Sequence, residues 1–150
     1  MKNWFGVIVF ILFFSLVRLD VLALEETTTK YFGVGATVEE VEQATFTVKT
    51  DGEQVGEGFV YSPESNKADG EIRCQLDLQG KGTVYIKMEE IDKQGNLLSE
   101  HKTQNLHLTN DWQPYELTAK LSKSSAHLDI FVITSSKQNT EFQFRELRVH

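Results

Sequence analysis

Two nine-residue stretches decide what this chain can fold into. In EIRCQLDLQ (71–79), Ile72, Cys74, Leu76 and Leu78 alternate with Arg73, Gln75 and Asp77. In TVYIKMEEI (83–91), Val84, Ile86 and Met88 alternate with Tyr85, Lys87 and Glu89. A strand sends successive side chains to opposite faces, so this alternation makes one apolar and one polar face. The pattern recurs at 45–50 (Phe46, Val48), 55–61, 97–109 (Leu106, Leu108), 114–121 (Tyr115, Leu117, Ala119, Leu121), 126–134 (Ala126, Leu128, Ile130, Val132) and 141–149. Clusters of Gly, Asn, Asp and Ser separate the runs, as turns require. About eight strands at this spacing define an all-β domain, a two-sheet antiparallel sandwich or jelly roll, with a barrel also compatible with the turns. Residues 24–30 read as a polar leader and 36–44 as one or two helical turns, so the β-sandwich domain is expected over 45–150 and an N-terminal leader segment over 24–44.

The first residues are of another kind. Lys2 precedes an apolar run of 14 residues, Trp4–Val17, and Val21 and Ala23 stand at the −3 and −1 positions of a cut after Ala23. This is the pattern of a secretory signal peptide over 1–23, and the run is short for a bilayer span of ~20 residues. The mature product is expected to be extracellular, with no membrane association after cleavage. N-terminal sequencing of the exported product should begin at Leu24; an intact Met1 in the membrane fraction contradicts the assignment.

Charge and cysteine use narrow the partners. Loss of Lys2, Arg18 and Asp20 with residues 1–23 moves the formal net charge from −7 to −8. Such a surface repels phosphate backbones, which excludes nucleic acid as a natural partner. Cys74 is the only cysteine, and at an apolar strand position it reads as a small buried hydrophobe.

The order GKGTVYIKMEEIDKQGNLLSE, DWQPYELTAKL and AHLDIFVITSSKQNTEFQFRELRV resembles carbohydrate-binding modules of the galactose-binding-like jelly-roll superfamily over about residues 70–149. The resemblance implies that 71–79 and 83–91 lie in opposite sheets, although GKG (80–82) alone would suit a hairpin. It also implies a buried structural role for Trp112, at the end of a sheet, with a ligand platform as the alternative reading of this residue. The family's closing strand often supplies an Asp to a structural calcium. Arg145 and Glu146 stand there in this chain, and an arginine cannot ligate a cation. No metal and no cofactor is expected.

Two sheets leave two outer faces. The sheet with 71–79, 114–121 and 141–149 presents an ordinary solvated surface that includes Arg73, Gln75, Asp77, Glu116, Lys120, Gln143 and Arg145. The other presents Tyr85, Lys87, Asn105, His107, His127, Asp129, Phe131 and Ile133, where rings and an isoleucine point outward. Sugars stack on rings and exchange hydrogen bonds with planar polar groups. The candidate ligand site is therefore Tyr85, Lys87, Asn105, His107, Asp129 and Phe131, for a glycan or cell-wall polysaccharide. Two alternatives compete: a protein partner on the same face, and cover of Phe131 and Ile133 by segment 24–44. No catalytic residues are expected. SSAH (124–127) lacks a nucleophile elbow, Glu89 and Glu90 point to opposite faces, DKQGN (92–96) is no calcium loop, and His101 with His107 lacks a third ligand.

Overall fold

The computed structural model describes residues 30–63, 70–122 and 125–150. The expected signal peptide and residues 24–29 lie outside the described residues. Among the described residues eleven strands follow in order: β1 Tyr31–Val34, β2 Ala36–Glu42, β3 Thr45–Thr50, β4 Gly58–Tyr61, β5 Glu71–Gly80, β6 Thr83–Ile91, β7 Leu97–Lys102, β8 Leu106–His107, β9 Gln113–Lys120, β10 His127–Thr134 and β11 Glu141–Val149. They form two antiparallel sheets. One runs β1-β4-β10-β6-β7, with β8 also on β6; the other runs β2-β3-β11-β5-β9. This is the expected all-β jelly-roll sandwich.

The alternation read in the sequence is the packing. Ile72, Cys74, Leu76 and Leu78 of β5 face Val84, Ile86 and Met88 of β6 and Leu128, Ile130 and Val132 of β10 in one buried core. β5 and β6 lie in different sheets, so Gly80–Gly82 carries the chain across the sandwich and makes no hairpin. Gly80 has φ 136°, and a Cβ there would lie 2.6 Å from the Phe142 Cα. Burial pushes the Cys74 thiol pKa up to about 12, which leaves it a filler of the core.

Three local expectations are corrected. Residues 36–44 make no helical turn; Ala36–Glu42 is β2, at the edge of the five-stranded sheet. Residues 31–42 of the expected leader thus supply edge strands to both sheets. Segment 97–109 is two strands, because one extra residue intervenes: Lys102 pairs with Lys87 and Leu106 with Val84. At this break the Thr103 hydroxyl accepts from Ile86 N–H at 3.1 Å, and Thr103 N–H donates to Ile86 C=O at 3.0 Å.

Aromatic rings close one end of the core between the sheets. Phe144 of β11 stacks on Phe59 of β4 (centroids 4.0 Å) and on Phe46 of β3 (5.0 Å), and Tyr31 of β1 meets Phe144 edge-on at 4.8 Å. Offset and edge-to-face rings add ~0.5–1.5 kcal/mol per pair beyond their burial.

Two carboxylates are built into the fold. Glu57 accepts backbone N–H donors from Gly52 (2.5 Å), Glu53 (2.9 Å) and Gln54 (2.7 Å), closing the loop before β4 on itself. Burial pushes its pKa up, but these donors and nearby Lys137 outweigh burial and hold it below the ordinary 4.5. Glu90, on the inward face of β6, is 1% exposed. Burial again opposes ionisation, and is outweighed by the Ser99 hydroxyl (2.7 Å) and the Ser122 N–H (2.7 Å), so this pKa is also lowered. A carboxylate whose folded pKa is depressed stabilises above its unfolded pKa, and that stability is lost as pH falls through the folded value. The urea midpoint is therefore expected to hold at neutral pH and to fall as pH drops below the ordinary carboxylate value of 4.5. Glu57→Gln should lower the midpoint at neutral pH and flatten its acid slope; parallel pH profiles for the two chains would contradict this account.

Candidate functional site

The outer face of the six-stranded sheet is read directly from its register. One row runs Phe32, Val60, Phe131, Lys87, Lys102 across five strands. The next runs Val34, Gly58, Ile133, Tyr85, and on the other side Asp129, Glu89 and Glu100 align. Tyr85, Lys87, Asp129 and Phe131 thus come together on adjacent strands. His107 sits at the sheet end, its Nδ1 3.0 Å from the Thr83 hydroxyl, and Asn105 is exposed in the break between β7 and β8.

This face is laced by its own contacts. Lys87 Nζ lies 4.5 Å over the Phe131 ring, 2.5 Å from Glu89 and 3.9 Å from Glu100. Its ammonium therefore caps a face of the ring expected to stack on sugar. Asp129 accepts from the Ser62 hydroxyl and pairs with His127 Nε2 at 2.9 Å. Ile133 is only 5% exposed. Loop 51–57 lies close to it, since a Cβ on Gly56 would stand 3.7 Å from its Cδ1. Residues 31–42 do not cover this face; they extend the sheets at their edges. Phe32, in the same row as Phe131, is 60% exposed. It falls in the expected leader segment 24–44, so it is not among the candidate site residues. The signal was present: Tyr31 and Phe32 are adjacent, and one must face out if the other faces in.

Trp112 is a correction of larger consequence. It is half-buried and belongs neither to the core nor to the residues packed on it. The parity of β9 explains this. Tyr115, Leu117 and Ala119 face inward, so Trp112 shares the outward parity of Pro114, Glu116 and Thr118. Its ring lies under the Arg145 guanidinium, whose Cζ is 4.3 Å from the ring centroid. Arg145 Nε donates to Asp77 Oδ2 at 3.1 Å.

Two clefts open on this five-stranded face, one on each side of the Trp112–Arg145 pair. The first, about 540 Å³, is lined by Gln79, Lys81, Asn110, Asn139, Glu141 and Gln143 among others. The second, about 390 Å³, is lined by Gln75, Asp77, Pro114, Glu116, Glu146 and Arg148 among others. Asn110, Trp112 and Pro114 run from one cleft to the other along the approach to β9; Gln79, Asp77 and Gln75 do so along β5. At ~3.3 Å per residue, Gln75 to Gln79 spans ~13 Å, room for more than one sugar ring.

The lining groups are planar and largely neutralised. Gln79 Nε2 donates to Gln143 Oε1 (2.5 Å), Gln143 Nε2 to Thr47 Oγ1 (3.0 Å) and Gln75 Nε2 to Glu116 Oε2 (2.7 Å). Each amide carries two donor hydrogens and two acceptor lone pairs, more than these bonds use. Arg148 pairs with Glu146 at 2.7 Å and Arg73 with Glu116 at 3.6 Å. The arrangement offers hydrogen bonds of both senses around one indole, with little net charge.

Neither a protein-family model nor a curated protein sequence matches the chain. Its fold is that of jelly-roll carbohydrate-binding modules. It is similar to the CBM22-1 xylan-binding domain of Paenibacillus barcinonensis Xyn10C at 12% identity and TM-score 0.65, over 83% of this chain and 86% of that one. It is similar to the CBM22-1–GH10 modules of Clostridium thermocellum xylanase Xyn10B, complexed with xylohexaose, at 12% identity and TM-score 0.68. That match covers 80% of this chain and spans 25% of the longer chain. A CBM29-2 variant complexed with mannohexaose matches at 16% identity and TM-score 0.57, over 81% of each chain.

Proposed function

We propose that this chain is a non-catalytic glycan-binding module, exported by its N-terminal segment, that holds a neutral polysaccharide along the clefted face of the five-stranded sheet. The observation that carries the reading is the position of Trp112, a partly exposed indole between an amide-lined cleft and one lined by paired charges. Sugar C–H faces stack on such a ring while hydroxyls exchange bonds with water for bonds with Gln79, Gln143 and Asn110. Each exchange is worth only ~0.5–1.5 kcal/mol net. A handful of them with one ring gives ~4–7 kcal/mol, or a Kd of about 10 μM to 1 mM. The solved jelly rolls that bind xylohexaose and mannohexaose support the ligand class. Affinity electrophoresis through gels cast with xylan, glucomannan or hydroxyethylcellulose tests it: retardation by at least one is expected, and free migration in all three would remove the reading.

The second reading, a protein partner on the six-stranded face, draws on the row of exposed Phe32 with half-buried Val60 and Phe131. Tyr85, Lys87, Asn105, His107 and Asp129 would rim that contact. Retention on glycan that survives Trp112→Ala but is lost in Phe32→Ala would instead return the sugar to this face.

A further inference from the structure

β11 is irregular at its centre. Its register against β5 shifts between Arg145 and Arg148, and Glu146 takes φ 54°, a left-handed conformation uncommon for a residue other than glycine. Phe144 is buried and Leu147 packs against the core, so one extra residue is accommodated between two inward-facing positions. Bulges of this kind re-aim side chains. Here Arg145, at the edge of the irregularity, reaches across β5. Its Nε is held by Asp77 and its guanidinium lies on the Trp112 ring. Strands β5 and β11 and the approach to β9 are tied at the divide between the two clefts.

We infer that Arg145 is a positioning residue of the glycan site, an inference that rests on the reading that sugar stacks on Trp112. Arg145 covers one of the two faces of the indole, fixes the ring plane and leaves one face to the ligand. A guanidinium has five N–H donors in a plane. With Nε given to Asp77, the guanidinium is held on its own face of the ring, and the sugar takes the opposite face. Lysine cannot reproduce this, because a compact ammonium lacks the planar fork that stacks and donates at once.

The test uses the full chain carrying Trp4→Phe, so that Trp112 is the sole indole of the two in the sequence. Arg145→Met and Arg145→Lys are compared with that parent by acrylamide quenching and by calorimetric titration with xylohexaose, mannohexaose and cellohexaose. Arg145→Met is expected to raise the quenching constant about twofold and weaken binding about tenfold, with the melting temperature little changed; Arg145→Lys should recover at most part of either. Quenching and affinity that both stay near the parental values, while the parent binds, overturn the positioning role alone. A parent that binds none of the three sugars overturns the glycan reading and this inference with it.

Discussion

Phe144→Ala should destabilise the domain by ~3–5 kcal/mol, the range for emptying a buried aromatic site. Phe144 is fully buried in β11, the middle strand of its sheet. It touches rings from both sheets, Phe59 and Tyr31 on one side and Phe46 on its own. Removing it leaves a cavity that four strands cannot close without shifting their pairing, and it also forfeits the ring-pair terms. Domains of this size are stable by only ~5–15 kcal/mol, so this substitution takes a large share. Urea titration of parent, Phe144→Leu and Phe144→Ala should give midpoints falling in that order. A loss below ~1 kcal/mol for the alanine variant would show that the cluster is not what joins the sheets at this end.

Trp112→Ala should do the opposite: abolish retention by glycan and leave the fold nearly intact. The ring lies outside the core, so its removal costs a surface contact and a cation–π pair, together about 1 kcal/mol or less. A core tryptophan would cost ~3–5 kcal/mol, the value that follows from the sequence resemblance. The two numbers are far enough apart for one thermal or urea titration to separate them. Unimpaired binding in Trp112→Ala would move the sugar away from this ring.

The strands that carry the core were legible because burial on one face imposes strict alternation, as in β5, β6 and β10. The crossing of Gly80–Gly82 between sheets was implied by the resemblance and agrees with the two full apolar faces, whereas GKG alone would suit a hairpin. The edge strands β1 and β2 were not legible. β2 is exposed over most of its length, so nothing forces its apolar residues into step, and ATVEEVEQA also reads at helical spacing. The site was half legible. The parity of β9 already puts Trp112 outside, and the parity of β11 puts Arg145 outside. Their meeting depends on the order β11-β5-β9, a long-range fact absent from any local pattern. The six-stranded face shows the converse. Alternation brought Tyr85, Lys87, Asp129 and Phe131 together as expected, but it carries no word of the Lys87 ammonium resting on Phe131.

The proposed seat of the glycan is the five-stranded face, and amide-resolved NMR titration of the ¹⁵N-labelled chain reads it residue by residue. On adding xylohexaose, mannohexaose or cellohexaose, the Trp112 indole N–H and the side-chain amides of Gln79, Asn110 and Gln143 should shift together in fast exchange. The backbone resonances of Phe32, Tyr85 and Phe131 should stay in place. Shifts confined to Phe32, Tyr85, Lys87 and Phe131, with the Trp112 indole unmoved, would contradict the account.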